Sequence, residues 1–430
     1  MQMIENHTLS NGLQILLRQD HSAPIISHWI WYRVGSRDEL AGHTGVSHWV
    51  EHMQFKGSLR YPAGILDKAI SREGGFWNAF TFLDWTAYFE TMPAEKIDLA
   101  LQLEADRMVN SLFDPTEFES ERTVIMSERL GNQNEPLFQL GEEVQAAAFR
   151  VHSYHHEVIG DLPDLQTIKR DELYNHYRTY YNPNNAVIAI AGDIDPAQML
   201  DRLSELYASV PAGQLTDRLY RPEPEQRGER RVIIEGSGET AYAQAAYKAP
   251  AASNPDFFSL MALDSLLSGP NNINLLGEGL SNKTSRLYRA LVETELAVGI
   301  FGGPQATIDP FLLSITAVVH PESTPEKVIS ALDEEIYKLQ QNPPAESELQ
   351  RALKQAKALF AYSNESITNQ AFWLGFTQMI ADESWYEHYL ERLENVTPED
   401  VQRAAQTYLR PQNRVLGFYL PSGVEPESEL

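Results

Sequence analysis

The chain has 430 residues, 43% hydrophobic and 10% aromatic, the make-up of a packed globular protein, which excludes wholesale disorder. Its 60 acidic residues against 34 basic ones give a net charge of −26, which argues against a nucleic-acid binder, since that needs a basic footprint. It contains no cysteine, so disulfides and thiolate nucleophiles are ruled out, and no apolar run approaches the ~18–20 residues that span a bilayer.

Length alone predicts two to three domains of about 150–200 residues. The opening residues Met1 to His7 lack a basic stretch followed by an apolar one, and they also lack the Arg-rich pattern of an organellar transit sequence. A cytoplasmic protein is expected. The acidic balance would steer basic peptides toward the surface, but it is equally what a soluble acidic protein carries.

In chain order, Leu13 to Leu17 and Ile25 to Tyr32 predict strands, separated by the turn-like Asp20-His21-Ser22-Ala23-Pro24. A helix is expected from about Gly45 to Phe55. It carries His48-Trp49-Val50-Glu51-His52. His48 and His52, at i and i+4, leave the same helical face and can grip one metal ion. Glu51 is within a turn of both and can reach a water held by that ion, taking its proton as the water attacks a carbonyl. The order His-x-x-Glu-His inverts the commoner His-Glu-x-x-His and is the signature of inverzincin proteases. Taken alone, the pentapeptide also fits a helix with two half-exposed histidines and a solvated glutamate. A third ligand has to be found.

Ile65 to Glu73 predicts a helix stopped by Gly74-Gly75, and Phe76 to Thr81 and Thr86 to Glu90 predict strands. Helices are expected over Lys96 to Asn110 and over Thr116 to Phe149, the latter broken between Gly131 and Pro136. Asn185 to Ala191 is a strand ending in Gly192-Asp193, and Pro196 to Tyr207 a helix. The charged, proline-containing stretch 213–231 has almost no apolar periodicity and is expected to link an N-terminal domain, 1–212, to a C-terminal one, 232–430. The second half repeats the plan of the first, with helices over Asp256 to Leu267 and Ser285 to Thr294, a strand over Phe311 to Val319, and a long helical C-terminal portion. Where the motif helix would recur it offers Ala262-Leu263-Asp264-Ser265-Leu266-Leu267, without histidine, so only the first half keeps a metal site.

Glu121 and Glu128 are seven apart, two helical turns, and share a face. In isolation such a pair fits a solvated acidic stripe. Here it stands within Glu121-Arg122-Thr123-Val124 through Glu128, alongside Glu51-His52-Met53-Gln54-Phe55-Lys56-Gly57, Gly74-Gly75-Phe76-Trp77-Asn78-Ala79-Phe80-Thr81, and Tyr180-Tyr181-Asn182-Pro183-Asn184-Asn185 leading to Gly192-Asp193. Over nearly its whole length the chain resembles the pitrilysin/insulinase family of zinc peptidases, in particular the short single-unit members and the related mitochondrial processing peptidase subunits.

The resemblance implies an α+β chain of two similar domains, each an antiparallel sheet with helices packed against it, and two such chains closing like a clamshell around a chamber. It implies one zinc per chain on His48, His52 and Glu128, with Glu51 as general base and Glu121 orienting a ligand. The strand at Asn78-Ala79 would pair with the backbone of an extended peptide substrate. No nucleic-acid or membrane partner is expected.

Active relatives carry an Arg and a Tyr in the C-terminal domain, within a stretch like Leu-Arg-Glu-x-x-Leu-Ala-Tyr, that hold the scissile carbonyl. Val292 and Val298 stand at those positions here, and neither can donate a hydrogen bond. Either the register is shifted and Arg286 or Arg289 does the work, or another subunit supplies the pair. Loss of both together favours the second. The expected assembly is a heterodimer with a homologous subunit that lacks the motif and contributes Arg and Tyr, with a homodimer as the alternative. The expected function is that of a zinc metalloendopeptidase acting on peptides or unfolded segments. Its rivals are a non-catalytic structural core subunit and a dedicated protease that trims presequences or leader peptides. His152, His155 and His156 are expected to be structural rather than a second metal site.

Overall fold

The computed structural model describes residues 4–215, 218, 220–271, 273 and 281–422. The β-branched and aromatic runs form the first sheet: β1 (Ile4–Thr8), β2 (Gln14–Gln19), β3 (Ile25–Tyr32), β4 (Phe76–Thr81), β5 (Thr86–Pro93) and β6 (Ala186–Gly192), in the spatial order β1-β2-β6-β3-β5-β4. Between these strands come α1 (Val46–Met53), α2 (Ile65–Arg72), α3 (Ile97–Asn110), α4 (Pro115–Asn132), α5 (Pro136–Ala148), α6 (Leu162–Thr167) and α7 (Arg170–Tyr180), with α8 (Pro196–Tyr207) after β6. The second sheet has β7 (Arg230–Gly236), β8 (Tyr242–Ala249), β9 (Ala297–Pro304), β10 (Phe311–Val319) and β11 (Arg414–Pro421), ordered β7-β11-β8-β10-β9. The helices α9 (Asp256–Leu267), α10 (Pro325–Gln341), α11 (Glu346–Tyr362) and α12 (Ile367–Ile380) belong to this half of the sequence. No helix among the described residues is long and apolar enough to cross a membrane.

The two sheets share one topology. The order β2-β6-β3-β5-β4 maps strand for strand onto β7-β11-β8-β10-β9, and α1 and α9 both follow the second strand of their set. Neither sheet is wholly antiparallel, however. β2 runs parallel to β6, and β7 runs parallel to β11, because the last strand of each set crosses back and inserts between the first two. Strand insertion of this kind is a long-range event that local patterning does not register.

The chain divides into two contact units that interleave in sequence. The first comprises 1–130, 156–221 and 364–386; the second comprises 131–155, 222–363 and 387–430. The stretch expected as one broken helix over Thr116 to Phe149 thus divides between them: α4 ends at Asn132, and α5, with Pro136 at its first position, packs on β7 and β11 of the second sheet. In return α12 packs on β3 and β6 of the first. β7 begins inside the stretch expected to be a linker. It is an edge strand with Arg231, Ile233 and Glu235 exposed, and that mixture hides its alternation. Of the helix expected over Ser285 to Thr294, the regular part is a π-helical turn, Tyr288–Val292, with Leu287 and Leu291 buried.

The core of the first unit is aromatic. Trp29 stacks on Phe89 at 4.2 Å, Trp31 meets Phe372 of α12 edge-on at 5.4 Å, and Trp29, Trp31 and Trp85 are all buried. Gly375 lets α12 approach this closely, since a Cβ there would lie 2.0 Å from Trp31 Nε1.

The motif helix α1 is mounted from its N-terminal end. Gly45 precedes it with φ 85°, and a Cβ on Gly45 would meet the Ile159 carbonyl at 2.4 Å, so both conformation and space demand glycine. No local side chain caps the helix. Instead the buried Glu39 carboxylate accepts the backbone N–H groups of Gly45 and Ser47, both at 2.8 Å, and bonds His156 Nε2 at 2.9 Å. A carboxylate at a helix N-terminus is stabilised by the free N–H groups and the helix dipole.

Two outcomes are expected. Gly375→Ala should lower stability by about 1–3 kcal/mol through overpacking against Trp31, despite the ~1 kcal/mol that alanine gains over glycine in an exposed helix. An unchanged or raised midpoint in denaturant or thermal unfolding would show that Trp31 moves aside. Burial lowers the His156 pKa, but the hydrogen bond and charge of Glu39 outweigh it and raise the pKa above the usual 6.5. The stabilisation from this pair is therefore full below that value and lost as pH rises through the raised folded-state pKa. His156→Gln should cost about 1.5–3 kcal/mol in acid and converge on the native chain in alkali, as read by urea unfolding across pH.

Candidate metal centre

Two helices supply the site. Trp49, buried on α1, stacks on Phe118 of α4 at 4.7 Å with the rings within 3° of parallel, and the Arg122 guanidinium lies 4.8 Å from the Trp49 ring centre. Arg122 is itself held by the Leu165 and Ile168 carbonyls. This packing sets the inner face of α4 beside α1. His48, His52 and Glu128 converge so that one ligand atom from each lies within 4.8 Å of the others. His48 Nε2 is 4.0 Å from Glu128 Oε1, and His52 Nε2 is 3.7 Å from Glu128 Oε2.

A tetrahedral zinc with ligand distances of about 2.0–2.2 Å needs donor atoms roughly 3.3–3.6 Å apart. The two imidazole-to-carboxylate separations exceed this slightly, and the exposed Glu128 carboxylate has the freedom to close them. Two imidazoles and a carboxylate form a donor set that suits zinc. The residues fit the ion.

Surrounding groups orient the donors. Glu121, buried on α4 two turns before Glu128, accepts from His52 Nδ1 at 2.8 Å, which leaves Nε2 as the nitrogen facing Glu128. Lys56 Nζ stands 2.5 Å from the other Glu121 oxygen. His48 Nδ1 is buried with no hydrogen-bond partner among the described residues. Burial and the neighbouring His52 push the His48 pKa down to about 3. For His52 burial acts downward but Glu121 prevails and raises it. Burial would raise Glu121, yet its bonds to His52 and Lys56 hold it below the usual carboxylate range.

Glu51 is 8% exposed, and burial pushes its carboxyl up to about 7 against the opposing hydrogen bond from Thr81. Thr81 Oγ1 donates to Glu51 Oε2 at 2.5 Å. A half-exposed pair of imidazoles, a solvent-facing carboxylate and a buried carboxyl on the same helix can bind a cation and move a proton beside it. Asn78 and Ala79 lie on β4, the edge strand next to α1. Asn78 is exposed, Ala79 is buried, and the Asn78 side-chain oxygen accepts the Ala79 backbone N–H at 2.8 Å.

The remaining candidates fall elsewhere. His152 Nε2 bonds Asp309 at 3.1 Å and its Nδ1 accepts the Tyr154 N–H, His155 bonds the His152 carbonyl, and His156 holds Glu39. They share no metal cluster among the described residues. In the second unit, Arg286 is clamped bidentately by Glu348 at 2.8 and 2.7 Å, Arg289 is exposed, and Val298 is exposed on the edge strand β9. Sequence reasoning did not find Thr81, Lys56 or Glu39. Each acts through a tertiary contact, and nothing in the spacing marks it.

Both halves of the chain resemble known proteins. Residues 14–162 match the model of the insulinase family, peptidase family M16, and residues 167–356 match that of the M16 peptidase inactive domain. A zinc protease of Helicobacter pylori, PqqE, is 28% identical over 97% of this chain and 93% of its own. The β subunit of a mitochondrial-processing peptidase from Lentinula edodes is 25% identical over 96% of this chain and 89% of its own. A crystal structure of a protease from Helicobacter pylori superposes with a TM-score of 0.91 at 26% identity, covering 98% of this chain and 100% of the other. With both halves matched in order and the metal-type cluster found, among the described residues, in the first, the chain belongs to the insulinase (M16) peptidase family, among its single-unit members.

Proposed function

We propose that this chain is a zinc-dependent endopeptidase that cleaves peptides or unfolded segments and works as the metal-bearing subunit of a heterodimer. The observation that carries this reading is the convergence of His48, His52 and Glu128 with the buried Glu51 on the same helix. His48 and His52 would hold the ion through Nε2, and Glu128 through its carboxylate. Zinc, when bound, supplies Lewis acidity that acidifies water and polarises a peptide carbonyl. Glu51 takes a proton from the attacking water and returns it to the leaving amine. Glu121 keeps His52 in one orientation and tautomer.

The free edge of β4 receives the peptide as an added strand. An incoming backbone carbonyl takes the Ala79 N–H that Asn78 holds in its absence. Backbone pairing of this kind reads extension rather than sequence, which suits unfolded substrates.

The carbonyl-holding Arg and Tyr come from a homologous partner, the two chains closing as a clamshell around a chamber. Arg286 is committed to Glu348, which counts against a shifted register in which it would do that work. The relative named as one subunit of a processing peptidase supports a paired assembly. A presequence-trimming role is the narrower form of the same chemistry.

Purified alone, the chain should hold one zinc by metal analysis and cleave an unstructured peptide weakly, with activity restored by the partner recovered through co-purification. Full activity of the lone chain would overturn the divided site. In the active assembly Glu51→Gln should lower kcat by about 100- to 10,000-fold with zinc retained, whereas His52→Ala should lose the zinc. Zinc-free native protein would favour a structural subunit.

A further inference from the structure

Thr81 is the last residue of β4, and its neighbours along the strand explain where it points. With the two-residue period of a strand, Trp77, Ala79 and Thr81 share the face toward α1. Trp77 packs on Phe55, just beyond α1, at 4.5 Å, and Thr81 reaches Glu51. Its hydroxyl donates to Glu51 Oε2 at 2.5 Å. Directly across the hairpin from Thr81 is the buried Thr86, whose hydroxyl donates to the Val34 carbonyl at 3.0 Å and lies 3.4 Å from Thr81 Oγ1. The hydroxyl of Thr81 is thus held at the end of a strand pair, where its rotamer is restricted by branching at Cβ.

We infer that Thr81 is a positioning residue for peptide hydrolysis: its hydroxyl pins one oxygen of Glu51 so that the other faces the reacting water. This rests on the reading of Glu51 as the general base. A glutamate on a short helix has several rotamers, and ordering such a side chain costs conformational entropy. A fixed donor removes that freedom before substrate arrives, and proton transfer requires the base within hydrogen-bond reach. Thr81 sits outside the metal cluster, so it acts on the base without touching the ion.

The test is made in whichever assembly carries peptidase activity, the lone chain or the complex. Thr81→Val keeps the shape and the strand preference but removes the donor. It is expected to lower kcat about 10- to 100-fold, with KM for an unstructured peptide and zinc content unchanged. Thr81→Ser restores the donor and should recover most of kcat. Native kcat in Thr81→Val, a change in KM alone, loss of zinc, or a Ser variant as slow as the Val variant would each overturn the assignment. Glu51→Gln measured in parallel separates the two ideas. If it stays active, the base itself is wrongly assigned; if it is inactive while Thr81→Val is native, only the role of Thr81 fails.

Discussion

The face-to-face stack of Trp49 on Phe118 is the contact on which the centre depends. The motif places two imidazoles on one side of α1, but a third donor must come from a helix distant in sequence, and only packing can set the two helices at the right spacing. The stacked rings, capped by Arg122, do so. Aromatic pairs favour a limited set of arrangements and bury large areas, so they fix spacing more firmly than aliphatic contacts would. Glu39 then fixes α1 along its own axis by holding the N–H groups at its start. Between them these contacts leave little freedom for α1 relative to α4, on which Glu121 and Glu128 stand.

Behind this arrangement lies a second group of ionisable side chains with no part in metal binding. His28 on β3 bonds Glu90 on β5 at 3.1 Å, and Arg107 on α3 bonds Glu104 at 2.7 Å through Nε. The Arg107 guanidinium also lies over the ring of Tyr88, 4.2 Å from its centre. All four are buried, and burial drives the His28 pKa down to about 4 and raises that of Glu104 well above the carboxylate range. Such a cluster contributes little net stability compared with apolar packing, yet removing one partner strands the rest, which ties β3, β5 and α3 into one geometry. β5 is the strand that pairs with β4, so this rigidity reaches the strand that carries Asn78, Ala79 and Thr81.

The repeated topology shows why, among the described residues, the metal-type cluster stands in the first sheet's unit without a counterpart in the second. α9 occupies in the second sheet the place of α1 in the first, but it is buried from Phe257 to Leu267 and carries Asp264, fully buried and held by Ser268, where the motif helix has its metal-type residues. A buried carboxyl without a cationic neighbour is pushed up, here to about 8, so it stays protonated near neutral pH and lacks the charge a cation needs. Among the described residues the second unit keeps the architecture without a metal-type cluster.

How much of this was legible beforehand depends on the range of the interaction. Periodicity located β3, α1, α8 and β10 to within a residue or two, because β-branched runs and 3.6-residue spacing are local properties. The His-x-x-Glu-His spacing put His48, Glu51 and His52 on one helical turn for the same reason, whereas Glu128 was singled out only by the family resemblance; the fold brings it to His48 and His52. Other features were hidden. β7 presents charges on its exposed edge and its first two residues fell within the expected linker, and the insertion of β6 and β11 between earlier strands leaves no trace in local pattern. The exchange of α5 and α12 between units is likewise invisible, since an apolar helix face does not specify which sheet it covers. Thr81, Lys56 and Glu39 are polar residues of ordinary type whose meaning comes from a single contact each. The sequence by itself determined many of the elements, the His48–Glu51–His52 turn and the family, because these rest on patterns along the chain. The tertiary structure alone decided which oxygen of Glu51 is held, which nitrogen of His52 faces outward and what anchors the motif helix, because those follow from atoms that meet only after the chain has folded.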